Sequence, residues 1–355
     1  MDYRPAMRVR SGIGRYVAAL AHALVGDGCD LRLFGVFRSG NVPEVRRAPP
    51  GARLLAWRFP SRAMDLLGRL GILPADRAVG GCDLFHHTNY VMAVASRRVK
   101  QVMTIHDLAW LKEPGSHHAR ATAALTAIVE GATRDCAGFL VPSDATARDC
   151  EERLGLPRDR LFLTPLGVDP AFFALERRPR TPPYLLAVGT IEPRKNYARL
   201  LRAFDRVAAR RDGVELFVAG KWGWEHDDVR AAAEGARARE RIHLLGHVSE
   251  ERLLQLMAGA AGMLYPSLLE GFGLPVLEAM AAGIPVLTSD REPLRSLADG
   301  AALLVDPVDE EAIAAGIERL LEGGAEGGRG RERARGFTWE ACAEATLRAY
   351  REVLA

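Results

Sequence analysis

The chain has 355 residues, 48% hydrophobic and 26% charged, a length and composition that suit two globular domains of about 150–180 residues, each able to bury its own core. No apolar run approaches the roughly 20 residues of a membrane span, and the first ten residues lack the apolar core of a signal peptide, so the chain reads as cytoplasmic. Net charge is +3 but uneven: residues 1–170 hold 23 Lys/Arg against 17 Asp/Glu, residues 171–355 hold 25 against 28, and residues 1–62 alone hold 11 against 4.

The basic N-terminal part reads either as an Arg-rich solvated surface or as a face for anionic lipid or a phosphate-bearing acceptor. Nucleic acid is disfavoured, because no aromatics are interleaved with the basic residues in a binding pattern. Cys29, Cys82, Cys136, Cys150 and Cys342 show no CxxC spacing and read as free thiols in a reducing compartment.

Elements follow from periodicity. In the first half a helix is expected over 14–25, strands over 31–36, 83–87, 99–105 and 138–141, helices over 117–133 and 143–154, and an exposed loop over 38–52. In the second half strands over 184–189, 215–219, 242–246, 263–266, 285–288 and 302–305 alternate with helices over 198–209, 227–239, 250–258, 275–281, 292–298 and 310–321. Ser249 reads as an N-cap and Pro275 as a first-turn residue. The Pro-rich stretch 166–183 is the expected linker, 323–330 with five glycines a second soft spot, and 339–354 a final helix. The alternation implies α/β domains with parallel sheets, and ligands at the carboxyl ends of their strands.

Four strand-to-helix loops carry chemistry. In the stretch 266–278, Gly271 and Gly273 let backbone approach a ligand, and the N–H groups of Phe272, Gly273 and Leu274 offer an anion site at a helix start. Glu270 and Glu278 flank it, and carboxylates accept hydrogen bonds from polyol hydroxyls; the bland alternative is two Glu that cap and solvate a helix. In Val188-Gly-Thr-Ile-Glu-Pro-Arg-Lys-Asn196, Arg194 and Lys195 are placed to clamp a diphosphate, facing Glu270 across a cleft. Gly12 and Gly14, with Arg15, precede the first helix in the same cradle arrangement, although a lone GxG is also a simple turn. His106 ends a strand, where it can meet a sugar hydroxyl or serve structure alone. His86-His87 and His117-His118 lack metal-ligand spacing, so no metal site is expected. No GxSxG elbow, P-loop or HExxH occurs.

In this order, Gly12-Ile-Gly-Arg-Tyr16, Ile105-His-Asp-Leu108, Val141-Pro-Ser-Asp-Ala-Thr146, Gly189-Thr-Ile-Glu-Pro-Arg-Lys-Asn196 and the E-x7-E of Glu270 and Glu278 resemble family 4 retaining glycosyltransferases over essentially the whole chain, with the bacterial mannosyltransferases of surface-polysaccharide assembly as the similar subgroup. The resemblance implies the GT-B fold: two Rossmann-like doubly wound domains facing across a cleft, with an acceptor-side domain at 1–170, a donor domain at 171–335 and a helix at 336–355 that crosses back. It implies a nucleotide-sugar donor, GDP-mannose from the subgroup, no further cofactor and no metal, and a glycan or lipid-linked acceptor at the inner membrane face. It assigns Glu270 and His106 to the transferred sugar, Glu278 to the ribose, and Arg194 and Lys195 to the departing diphosphate. Gly189 and Thr190 and the backbone of Phe272, Gly273 and Leu274 beside Gly271 fall to the donor, Val248 to the base, and Gly12, Gly14 and Arg15 to diphosphate and acceptor.

Two departures stand out. Many relatives have Arg where this chain has Thr190. Relatives also begin with a strand before the residues matching Asp2-Tyr-Arg-Pro, so the first strand is expected to be missing and its neighbours to bear unpaired backbone; a start site further upstream is the expected explanation. A nucleotide-sugar epimerase of the same fold and a catalytically impaired scaffold are the alternatives to transfer.

Overall fold

The computed structural model describes residues 1–7, 12–26, 28–37, 48–112, 119–324 and 327–355. Expectations on Ser11, residues 38–47, His117-His118 and residues 325–326 lie outside the described residues. The chain divides into two units, Met1–Gly167 with Thr338–Ala355, and Val168–Phe337.

In the first unit, β1 (Arg32–Phe37) and β2 (Arg53–Arg58) pair in parallel, and β3 (Leu84–His87), β4 (Lys100–Thr104), β5 (Gly138–Val141) and β6 (Leu161–Leu163) form a four-stranded parallel sheet in that order. Residues 1–3 run between the two groups. The Asp2 N–H donates to the His86 carbonyl (2.9 Å), Tyr3 to Phe34 (2.8 Å), and Phe34 to Met1 (2.9 Å). The backbone expected to be bare on both neighbours is therefore paired over this short stretch. A buried ion pair between Arg4 and Asp2, 2.6 Å, follows it directly.

β2 and β6 were not expected from the pattern. β2 (RLLAWR) is half exposed with Arg at both ends, and β6 has three residues, so neither shows a clean alternation. The C-terminal helix Trp339–Leu354 packs on this unit, where Ala349 and Val353 join Val102 and Leu140 in one apolar cluster. A Cβ on Gly167 would collide with the backbone of Thr338 and Trp339, and Val168 N–H donates to the Phe337 carbonyl at 3.1 Å. The two chain passages at the unit boundary thus run side by side.

The second unit is a six-stranded parallel sheet built from β7 (Tyr184–Val188), β8 (Glu215–Ala219), β9 (Ile242–Gly246), β10 (Gly262–Tyr265), β11 (Val286–Ser289) and β12 (Leu303–Val305), in the order β12-β11-β10-β7-β8-β9. The chain enters in the middle, winds outward through β8 and β9, then returns to the other side of β7. The winding direction reverses between β7 and β10, so the loops leaving their carboxyl ends diverge and open a crevice. The helix Tyr197–Ala208 buries Leu200, Leu201, Phe204 and Val207 at helical spacing against Leu185, Leu216, Ile313 and Ile317.

Ser249 caps its helix by accepting from Arg252 N–H at 3.1 Å, and Pro275 sits in the first turn of Leu274–Ala281. The expected soft spot at 323–330 is instead in part a helix, Gly327–Ala334. Its glycines permit a close approach: a Cβ on Gly330 would press on Met280 at 3.2 Å, and one on Gly327 would overlap the Gly283 carbonyl. The expected linker is likewise tied down, since Arg178 and Arg180 donate backbone bonds to Ala258 and Gly259 at 2.8 and 3.0 Å.

Because backbone, and not a flexible side chain, meets the added methyl, Gly167→Ala should destabilise the protein by about 1–3 kcal/mol. Denaturant unfolding measures this; an unchanged midpoint would contradict the close passage.

Candidate functional site

Both motif loops of the second unit leave the strands that flank the switch point. After β7, Gly189 adopts φ 147°, a value that disfavours any side chain, and a Cβ on Gly220 after β8 would overlap its carbonyl. Thr190 lies half-buried in this turn, and Ile191 makes a parallel bridge to Trp222. A short 3-10 turn, Pro193–Lys195, then ends at Asn196 in the left-handed region, φ 61°, a conformation Asn tolerates better than most residues. The Asn196 amide donates to the Pro266 carbonyl (2.9 Å) and to the Pro307 carbonyl (2.6 Å). Leu268 N–H donates to the Arg194 carbonyl at 2.8 Å. The β7, β10 and β12 loops are thereby fixed to one another through buried backbone.

The charges follow from that fixation. Glu270 Oε1 accepts from Lys195 Nζ at 2.6 Å, and Glu270 Oε2 from Arg194 at 3.1 Å. Lys195 also donates to the Tyr265 hydroxyl at 2.5 Å, and Arg194 Nε lies 2.6 Å from Glu192. Lys195 and Glu270 keep only 8% and 7% side-chain exposure. Burial alone would raise the Glu270 pKa, but Lys195 and Arg194 prevail and push it down to about 2. Burial lowers the Lys195 pKa against the pull of Glu270. The expectation that Glu270 faces Arg194 and Lys195 across a cleft is corrected: they stand on loops that leave neighbouring strands of one sheet, and Glu270 touches both cations.

The helix Leu274–Ala281 starts directly after this cluster, with Gly273 at φ 109° as its N-cap. A Cβ there would meet Leu294 at 2.5 Å, so glycine serves both conformation and packing. Among the described residues no acceptor meets the N–H groups of Phe272, Gly273 and Leu274, which leaves three donors at a positive helix end. Gly271 lies in the same turn, and Glu278, buried at 4% exposure, is the fifth residue of the helix. Val248 lies between β9 and the helix Glu250–Gly259.

The remaining candidates belong to the first unit. His106, just past β4, donates from Nε2 to the Thr88 carbonyl at 3.0 Å. A carbonyl can only accept, so Nε2 carries the proton. Burial lowers the His106 pKa, and the neutral ring keeps a lone pair on Nδ1. The first helix, expected from residue 14, runs Gly12–Gly26, so the glycines expected to precede it form its first turn together with Arg15. Gly14 is buried and Gly12 exposed.

Glu192, Asn196 and Tyr265 were not among the expected site residues. Asn196 and Glu192 lie inside the β7 motif, and an Asn immediately before a helix is a readable cap signal. Tyr265 ends an apolar strand and carries no signal in sequence.

Glu270 titrates in the folded state near 2 against an ordinary value of 4.5. Its folded pKa is depressed, so its contribution is full above about pH 4.5 and is lost as pH falls toward 2. Glu270→Gln should be less stable at pH 7 and should lack this part of the acid destabilisation. Denaturant unfolding from pH 7 to pH 2 compares them; parallel curves would contradict the ion cluster.

Residues 169–336 match the family of glycosyl transferases group 1, and residues 10–172 match Glycosyltransferase Family 4. The O-antigen chain mannosyltransferase B of Escherichia coli is 30% identical over 96% of this chain and 96% of its own length. Among solved structures, sucrose-phosphate synthase from Thermosynechococcus elongatus superposes with TM-score 0.75 at 22% identity, covering 96% of this chain and 93% of the other. Anabaena HepE, solved with UDP and glucose, gives 0.73 at 17% identity and 96% of both chains. These two likenesses carry the fold, which is GT-B. With the whole-length relative and both family matches in register with the two units, the chain belongs to glycosyltransferase family 4 and is a hexosyltransferase.

Proposed function

We propose that the protein transfers mannose from GDP-mannose, with retention and without a metal, to a lipid-linked glycan acceptor during surface-polysaccharide assembly. The O-antigen chain mannosyltransferase relative supports mannose as the sugar and a glycan chain as the product. The observation that carries the reading is the cluster at the switch point: two cations, Lys195 and Arg194, beside the open N–H groups of residues 272–274.

Charge develops on the diphosphate as the glycosidic bond breaks. Lys195, Arg194 and the helix start are fixed before that moment, so they stabilise the leaving group without reorganising. Glu270 orients both cations and keeps lone pairs for sugar hydroxyls, since a carboxylate accepts at about four sites. Glu278 takes the ribose hydroxyls, Gly189 and Thr190 line the phosphate side, and the backbone at Val248 takes the base. In the first unit His106 offers Nδ1 to a donor-sugar hydroxyl, and Gly12, Gly14 and Arg15 serve the diphosphate and the acceptor. Retention follows a front-face path: the acceptor oxygen bonds to the anomeric carbon as the phosphate oxygen leaves, and that phosphate takes the acceptor proton.

In a thermal-shift panel GDP-mannose should raise the melting temperature more than UDP- or dTDP-sugars. Lys195→Met and Glu270→Gln should cut kcat by about 10²–10³ with the far-UV spectrum retained. Normal turnover in either variant would remove its assigned role.

A lipid-linked acceptor brings the enzyme to the cytoplasmic membrane face as a peripheral protein. No helix among the described residues is long and apolar enough to span it. Within residues 53–72, Trp57, Phe59, Leu66, Leu70 and Ile72 are each 38–63% exposed, and Arg53, Arg58 and Arg69 are exposed as well, a composition that suits an anionic interface. Vesicles containing phosphatidylglycerol should sediment the protein and phosphatidylcholine vesicles should not. Leu70→Ser with Ile72→Ser should release it, and equal sedimentation of this variant would refute the surface.

A further inference from the structure

A chain of buried polar contacts in the first unit has no part in the roles above. The Tyr16 hydroxyl lies 2.9 Å from Thr104 Oγ1, Thr104 Oγ1 lies 2.7 Å from His86 Nε2, and His86 Nδ1 lies 2.6 Å from the Tyr350 hydroxyl. Four elements meet in it: the first helix, β4, β3 and the C-terminal helix. At one end Tyr16 sets its ring edge-on to His106, centroids 5.0 Å apart at 85°. At the other end stands Tyr350, and Trp339 from the same C-terminal helix lies 6.2 Å from the Tyr16 ring.

The polarity of the chain can be assigned. Burial drives the His86 pKa well below 6.5, so its ring is neutral and has one donor and one acceptor nitrogen. Tyr350 has no other acceptor among the described residues, so its hydroxyl donates to Nδ1. Nε2 then carries the proton and donates to Thr104, which in turn fixes the Tyr16 hydroxyl. Tyr16 is fully enclosed, at 1% exposure, and has little freedom to leave the face of His106. The His106 ring donates to the Thr88 carbonyl, and the rings of Tyr16 and, at 6.3 Å, Tyr90 stand edge-on to it.

We propose that Tyr16 is a positioning residue for His106, and that the C-terminal helix sets it through Tyr350, His86 and Thr104. This rests on the proposed role of His106 at the donor sugar. The consequence is that the last sixteen residues of helix act on the reaction without touching substrate. Loss of the Tyr16 ring would let the imidazole tilt, and small misplacements of a reacting group cost rate far more than binding.

The test is steady-state kinetics on the full-length enzyme with a double-mutant cycle. Tyr16→Leu should lower kcat by about tenfold or more and leave the donor KM within about twofold, and Tyr16→Phe, which keeps the ring, should recover most of the rate. Tyr350→Phe removes one hydroxyl and no packing; it should lower kcat several-fold and carries the same test if Tyr16→Leu does not fold. In a His106→Ala background neither substitution should have a further effect. A slow His106→Ala enzyme in which the losses remain additive would overturn the positioning role alone. A His106→Ala enzyme with normal turnover would overturn the role of His106 and this proposal together.

Discussion

The contact on which the second unit's site depends is the buried carboxylate of Glu270 between Lys195 and Arg194. Two adjacent cations repel, and burial disfavours each of them. The Glu270 carboxylate between them offsets that repulsion where the loops after β7 and β10 are tied together. A buried ion cluster of this kind is weak evidence for stability, since desolvation offsets much of its attraction. Its position supplies a better reason: it holds two positive charges still at the mouth of a crevice, beside open backbone donors. Glu270 and Glu192 balance the two cations, so the N–H groups at the start of the helix Leu274–Ala281 are the part of the site left to meet an anion.

The neutral polar parts make this arrangement specific. Asn196 ties three loops through two carbonyls, and it can do so because its own backbone adopts a left-handed conformation at the helix start. A side chain on Gly220 or Gly273 would collide with the Gly189 carbonyl or with Leu294, and Gly189 holds a backbone angle that side chains disfavour. The first unit follows a similar logic with less charge. There a neutral histidine with a fixed tautomer is held among aromatic rings, and the C-terminal helix reaches its surroundings through hydrogen bonds.

Much of this was legible in the sequence where period and motif agree. The six strands of the second unit follow from short apolar runs, and the switch-point loops from glycine and charge placed between a strand and a helix. The direct contact of Lys195 with Glu270 was not legible, because strand order is a tertiary property and 75 residues separate them. β2 and β6 escaped because half-exposed or three-residue strands leave no alternation. The helix Gly327–Ala334 escaped because its glycines signal a break in isolation, while in the fold they permit contact with Met280 and Gly283. The first helix was expected to start two residues late for the same reason: Gly12 and Gly14 lower helix propensity, and burial of Tyr16, Val17 and Leu20 overrides it.

The most direct measurement is a crystal structure of the protein with a nucleoside diphosphate. The expected result is a terminal phosphate within hydrogen-bond distance of Lys195 and Arg194, capped by the N–H groups of Phe272, Gly273 and Leu274, with Glu270 still bridging the two cations. A diphosphate bound elsewhere, with the Glu270 cluster untouched and remote from it, would contradict the assignment of this crevice as the donor site.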